Sequence, residues 1–263
     1  MPDHATTTVD VRGYATTVSR AGKGAPVVIL GEVLGPQGWQ TYMTSLAEKF
    51  DVIVPEHPGM AGSPVPEWLD RVADLANFYL DFLDTMKLEK VHLVGFGVGG
   101  WIAAELATRN CARLASLTLV APLGLRVRGV QQADIFLGAD DDVLRVLTHD
   151  EGFAEKLIAE TLTADNEDAR LYNQQLIARL AWEPRLHDPQ LAKWLHRITV
   201  PAHVVAGVND RLFSEPYARA WRAALGDCRC DIIASCGHLP QFEKTGETVR
   251  LVSSFISGQR VQA

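Results

Sequence analysis

Short, almost wholly apolar segments rich in valine and isoleucine punctuate this chain and set its architecture. They are Thr8–Val11, Thr16–Arg20, Val27–Leu30, Val52–Pro55, Val91–Phe96, Leu114–Val120, His203–Ala206 and Cys230–Ala234. The third to the seventh are apolar at nearly every position. Such a strand has no face to offer water, so helices must cover the sheet on both sides. Helical spacing fills the gaps, in Trp39–Lys49, Val72–Met86, Trp101–Thr108, Pro216–Leu225 and Glu247–Ile256. Strands alternating with helices predict an α/β protein with an eight-stranded, mostly parallel sheet. The first two strands, joined around Arg12-Gly13-Tyr14, read as an antiparallel entry hairpin. Between Pro122 and Pro201 the alternation stops, and helical patterns follow one another at 140–148, 151–161, 166–181 and 189–197. The expected organisation is a core of residues 1–122 and 200–263, with a helical cap at 123–199 over the carboxyl edge of the sheet.

Bulk properties narrow the partners. With 263 residues and 47% hydrophobic content the chain can bury a sizeable core. A net charge of −7 without a basic cluster argues against a nucleic-acid partner, because phosphate-backbone binding needs massed Lys and Arg. Cys111, Cys228, Cys230 and Cys236 match no zinc spacing and read as reduced thiols. The amino terminus carries no basic start or apolar core of a signal peptide, and no apolar run reaches membrane-spanning length. The expectation is a soluble cytoplasmic protein with a small-molecule partner and no membrane partner. Its oligomeric state is open, a homodimer included.

The chemistry turns on residues 92–100, His-Leu-Val-Gly-Phe-Gly-Val-Gly-Gly. An apolar strand runs through a glycine-rich turn into a helix, the layout of a nucleophile elbow, which presents one side chain at its apex. The apex here is Gly97, which has none. Gly95, Gly97 and Gly100 also fit the dinucleotide fingerprint Gly-x-Gly-x-x-Gly. That reading needs an acidic residue at the end of the next strand, and Leu119-Val120-Ala121-Pro122 supplies none. Two later turns offer polar groups. Val204-Val205-Ala206-Gly207-Val208-Asn209-Asp210 ends a strand on a carboxylate, and Ser235-Cys236-Gly237-His238-Leu239-Pro240 ends one on an imidazole.

Apex, Asp and His in that chain order resemble the α/β-hydrolase superfamily, in which they run Ser, Asp, His. The resemblance extends from about residue 10 to 258 and includes Phe50-Asp51-Val52-Ile53-Val54-Pro55-Glu56-His57-Pro58-Gly59 and Ala121-Pro122-Leu123-Gly124-Leu125-Arg126. Within the superfamily the chain is similar to capped esterases and to hydrolases that cleave carbon–carbon bonds. The resemblance implies an α/β-hydrolase fold, no cofactor and no metal. It also implies Asp210 as the acid that orients His238, His238 as the base, Gly97 at the nucleophile's position, and Val33 and Val98 around the oxyanion hole. Trp101, Phe136 and Trp182 are candidates for a substrate pocket, although each alone reads equally as packing. His57 reads as a loop or supporting histidine.

The departures are coordinated. Where the superfamily has His-Gly after the third strand, this chain has Gly31-Glu32, followed by Val33-Leu34-Gly35. Its Pro-Gly-x-Gly becomes Pro58-Gly59-Met60-Ala61. A carboxylate at residue 32 opposes a developing oxyanion. Ser63 and Ser235 are the nearest hydroxyls, and neither lies in an elbow. Covalent catalysis from the apex is therefore excluded, whether by serine or by aspartate. Three readings remain. His238 and Asp210 act as a general base on water held beside Gly97, or directly on a small, partly apolar carbonyl substrate in C–C or ester cleavage. Alternatively, they move protons as a lyase, isomerase, cyclase, dehydratase or cofactor-free oxygenase, with Glu32 as a second acid/base. Or the chain is a non-catalytic small-molecule binder.

Overall fold

The computed structural model describes residues 4–60, 62–130 and 132–258; Ala61 of the Pro58–Ala61 turn lies outside them. The eight expected strands form one sheet in the order β1-β2-β4-β3-β5-β6-β7-β8. β1 (Ala5–Val11) and β2 (Tyr14–Ala21) make the antiparallel hairpin, with Val11 opposite Tyr14. Arg12 and Gly13 both take positive φ there, as a two-residue hairpin turn requires. β2 pairs antiparallel with β4 (Asp51–Pro55). From there β3 (Pro26–Leu30), β5 (Val91–Phe96), β6 (Leu114–Val120), β7 (Ala202–Gly207) and β8 (Cys228–Ile233) run parallel.

Side chains alternate across the sheet with period two, and both faces are buried. Val27, Ile29, Val94 and Phe96 face α1 (Thr41–Ala47) and α10 (Thr245–Ile256). Val28, Leu30, Leu93 and Val204 face the opposite layer. That layer contains α2 (Val72–Thr85), α3 (Val98–Arg109) and α8 (Glu215–Leu225). In α2 the spacing of Leu75, Phe78, Tyr79, Phe82 and Leu83 makes one buried stripe, as its sequence predicts. α3 starts three residues before the expected Trp101, because the backbone turns helical directly after Gly97.

Between β6 and β7 the described residues contain only helices and loops. α4 (Asp140–Leu147), α5 (Glu151–Thr161) and α6 (Glu167–Ala181) are followed by the short α7 (Leu191–Trp194). A one-turn helix, α9 (Pro240–Glu243), was not expected from the sequence and directly follows the His238 loop. The carboxyl ends of β3, β5, β7 and β8 meet at one place and deliver Glu32, Gly97, Asp210 and His238 to it, the usual position for a ligand site in an open α/β sheet.

Candidate active site

Gly97 keeps the backbone of an elbow without its side chain. Its φ of 51° and ψ of −112° lie outside the regions that side chains favour. Its N–H donates to the Val120 carbonyl at 2.9 Å, and its own carbonyl accepts from Leu123 N at 3.1 Å, so the apex is tied to the end of β6 and to the loop that follows it. The turn also needs glycine at 99, since a Cβ there would lie 2.1 Å from the Leu30 carbonyl oxygen. This close approach brings the end of β3 against the start of α3.

The space beside Gly97 is filled. A Cβ built on Gly97 would lie 1.3 Å from Glu32 Oε2 and 2.3 Å from Glu32 Cδ. The expectation that this space holds a water for His238 to activate is therefore corrected: the Glu32 carboxylate occupies it. Glu32 is 5% exposed, so its carboxylate lies inside the fold. Its Oε1 accepts from Val33 N at 2.7 Å and from Leu34 N at 3.0 Å. The turn is closed by Gln37, whose Nε2 donates to the Glu32 carbonyl at 3.1 Å. Val33 thus stands where an oxyanion donor was expected, but Glu32 already holds its N–H. Val98 heads α3, where a helix leaves its first N–H groups without intrahelical partners.

The acid and the imidazole meet as their chain order implied. Asp210 Oδ1 accepts from Leu212 N at 2.8 Å and Phe213 N at 3.0 Å, which fixes the carboxylate. Its Oδ2 lies 2.7 Å from His238 Nδ1. The opposite nitrogen, His238 Nε2, is 3.7 Å from Glu32 Oε2, too far for a hydrogen bond. Both of those atoms are buried without a hydrogen bond. Burial works against the imidazolium, but Asp210 and then Glu32 outweigh it and push the His238 pKa up to about 10. At neutral pH His238 is therefore a cation between two carboxylates. The resemblance implied His238 as a general base, and a base at this nitrogen needs the neutral imidazole, which the two carboxylates disfavour.

Two side chains support the site: His57, read from the sequence as a loop or supporting histidine, and Glu243, which sequence reasoning missed. His57 bridges Tyr79 Oη, 2.6 Å from Nδ1, and the Gly31 carbonyl, 3.1 Å from Nε2. A carbonyl only accepts, so Nε2 carries the hydrogen and Nδ1 accepts from Tyr79. Burial lowers the His57 pKa despite Gly31 and Glu32, which favours this neutral form. The pair pins the residue before Glu32. Glu243, on α9, gathers the N–H groups of Gly237 at 2.6 Å, His149 at 2.8 Å and Asp150 at 2.7 Å. It clamps the His238 loop to the turn between α4 and α5. The His238 N–H also donates to the Leu147 carbonyl at 2.8 Å. Glu243 follows His238 by five residues, and nothing local in the sequence marks its reach.

The expected pocket aromatics lie elsewhere. A cavity of about 570 Å³ opens between the loop after β3 and helices α4 to α6, and Trp101, Phe136 and Trp182 are not among the residues that line it. Trp101 is buried in α3, with its Nε1 donating to Glu105 at 3.3 Å. Phe136 and Trp182 pack edge to face under the Arg185 guanidinium, and Trp182 is 43% exposed. Nor do Gly97, Glu32 and His238 line the large cavity, although Val33 and Leu34 do. A smaller one of about 60 Å³ touches Glu32 and His57.

Among the described residues no helix is long and apolar enough to cross a membrane. The family model described as Alpha/beta hydrolase family matches residues 6–251. The chain is 25% identical to a 2-hydroxy-6-oxo-6-phenylhexa-2,4-dienoate hydrolase of Comamonas testosteroni, covering 94% of this chain and 93% of that one. It is 22% identical to a monoacylglycerol lipase, abhd6-A, of Xenopus laevis, over 92% of this chain and 78% of that one. A meta-cleavage product hydrolase from Pseudomonas fluorescens superposes with a TM-score of 0.76 at 18% identity, covering 96% of this chain and 97% of that one. A serine hydrolase involved in carbazole degradation superposes with a TM-score of 0.77 at 21% identity, covering 98% and 100%. With a matching family model over nearly its whole length, this chain belongs to the alpha/beta hydrolase family.

Proposed function

We propose that this protein is a proton-transfer enzyme acting on a small, partly apolar carbonyl compound, with His238 as the acid and Glu32 as the base. One observation carries the reading: Glu32 Oε2 and His238 Nε2 are both buried, neither has a hydrogen bond, and they lie 3.7 Å apart beside Gly97. Unsatisfied buried polar groups are costly, and a pair of opposite acid–base character is most simply explained by a shared ligand atom or neighbouring ligand atoms. In the proposed step Glu32 takes a proton from the carbon beside the carbonyl and becomes a carboxylic acid. His238 gives its Nε2 proton to the carbonyl oxygen and becomes neutral. The product is the enol, and return of a proton at another carbon makes the cycle an isomerisation. Asp210 stabilises the imidazolium between turnovers, and the bonds from Val33 and Leu34 leave Oε2 as the working oxygen of Glu32. The Comamonas relative is a hydrolase of a hydroxy-oxo-dienoate, which makes conjugated carbonyl compounds reasonable first candidates here.

The test works whatever the product is. The protein is incubated in deuterium oxide with a panel of enolisable ketones and conjugated keto compounds, and deuterium uptake is followed by mass spectrometry. Exchange on at least one compound should exceed the buffer rate by about 10²–10⁴-fold. It should disappear in Glu32→Gln and in His238→Asn. No exchange on any member, or exchange that survives both substitutions, sinks the reading. A second reading, a non-catalytic binder, is favoured by one observation: Glu32 Oε1 already holds the Val33 N–H, so this donor is closed to a substrate oxyanion. A ligand that binds measurably and is recovered unchanged and unlabelled supports that alternative.

A further inference from the structure

Glu32 Oε2 and His238 Nε2 are buried, so no molecule from solution reaches them unless the wall around them moves. The two cavities show where that wall is thin. The cleft of about 570 Å³ has the volume of a small-molecule site, and Glu32 is not among its lining residues. The cavity of about 60 Å³ touches Glu32 and has room for a few waters and little else. Four residues, Pro36, Gln37, Tyr42 and Phe242, line both. They form the partition between the cleft and the chamber beside Glu32.

Three of the four are held in place. Pro36 and Gln37 lie in the turn that Gln37 closes, with its Nε2 donating to the Gly35 carbonyl at 2.7 Å and to that of Glu32 at 3.1 Å. Tyr42 is 3% exposed, and its ring centre is 4.9 Å from that of Phe96, the residue before Gly97. Phe242 differs from these. It sits on the one-turn helix α9, is half-buried, and leans edge to face on Tyr42 at 5.8 Å. A Cβ on Gly35 would come within 3.3 Å of Phe242 Cε2, so the glycine leaves slack on that side of the ring. A partly exposed side chain changes rotamer far faster than an enzyme turns over.

We infer that Phe242 is the gate through which a molecule in the cleft reaches Glu32: its ring closes the chamber as described, and turning off Tyr42 joins the chamber to the cleft. The inference rests on the proton-transfer reading only for calling the incoming molecule a substrate. The bulk of residue 242 sets how often Glu32 is reached, and leaves the acid–base pair itself untouched.

Carboxyl labelling tests the gate without a substrate. The folded protein is treated with a water-soluble carbodiimide and glycine ethyl ester, and the label on Glu32 is followed over time by peptide mass spectrometry. Glu105 is the control, a carboxylate on α3 that is 3% exposed and lines neither cavity. Phe242→Ala should label Glu32 at least tenfold faster than the wild type, and Phe242→Trp more slowly than the wild type, with Glu105 unchanged in both. Labelling of Glu32 that ignores the size of residue 242 overturns the inference. If the label on Glu105 rises together with that on Glu32, the alanine has loosened the whole fold, and Phe242→Leu decides by the same criterion. Control of the label by residue 242, with no deuterium exchange on any ketone, defeats the proton-transfer reading alone. Exchange activity with Glu32 labelling indifferent to residue 242 defeats the gate alone.

Discussion

Replacing Gly97 by serine restores the hydroxyl that the elbow lacks, and the structure predicts that it fails. The new Cβ would stand 1.3 Å from Glu32 Oε2, so the carboxylate must leave. Leaving breaks its bonds from Val33 N at 2.7 Å and Leu34 N at 3.0 Å. Hydrogen bonds to a charged group contribute about 1.5–3 kcal/mol each, so the loss is roughly 3–6 kcal/mol. A side chain at φ 51° and ψ −112° adds strain; such strain is on the order of 1–3 kcal/mol. Together these approach the whole stability of an ordinary domain, about 5–15 kcal/mol. Gly97→Ser should therefore unfold about 8 °C lower or more, taking about 2–4 °C per kcal/mol. It should hydrolyse no nitrophenyl acetate, because the displaced carboxylate still crowds the site. Adding Glu32→Gly removes the obstacle and leaves Asp210, His238 and Ser in their usual relation. The double variant should recover most of the lost melting temperature, hydrolyse the ester and react with a fluorophosphonate probe, while each single variant does neither. The assays are differential scanning fluorimetry and ester turnover on all four proteins. A Gly97→Ser protein as stable as the wild type, or a double variant no more stable than Gly97→Ser, would refute the placement of Glu32 in the apex.

Two further outcomes follow from the site. The His238 pKa is raised from 6.5 to about 10, so its contribution to stability is fully present below 6.5 and is lost as the pH climbs through 10. The melting temperature of the wild type relative to His238→Asn should therefore fall across that window, and a difference that is flat or rising contradicts the buried imidazolium. Glu243→Gln keeps the size of the clamp but removes its charge, and its amide nitrogen, a donor, cannot accept from the N–H groups that now use the second oxygen; the expected cost is about 2–4 kcal/mol, read by urea denaturation. Hydrogen exchange should rise at Gly237 and Asp150, and unchanged protection there would rule out the clamp.

The sheet was legible because its strands carry their burial in their composition. A run such as Val27–Leu30 or Val91–Phe96 admits only a covered strand, and its boundaries hold to within a residue. Asp210 and His238 were legible as a meeting pair because each ends a strand and their order is meaningful whatever the distance between them. Glu32 was legible as a departure but not as an occupant. Its place follows from the pairing of β3 with β5, in which Leu30 lies opposite Gly95. Two residues on, past the ends of both strands, Glu32 lies beside Gly97, and only the pairing of strands distant in sequence reveals it. The aromatic candidates missed for a different reason. Trp101 lies on the right helix, but its direction is set by packing against Gly124, where a Cβ would be 2.5 Å from its ring. Helical spacing alone does not encode that direction.

The pairing of Leu30 with Gly95 has a consequence for how relatives of this chain should be sorted. Two adjacent parallel strands end side by side, so one point in space can be reached from either of them. A group lost from one strand end can be supplied by the next while the frame of loops and helices stays in place. The unit of inheritance at such a site is then a pair of positions, here 32 and 97, and not the apex residue alone. Sorting by residue 97 discards this chain as a broken hydrolase. Sorting by the pair groups it by what it carries: a small residue at one strand end, a long carboxylate at the other, and a buried imidazole beside both.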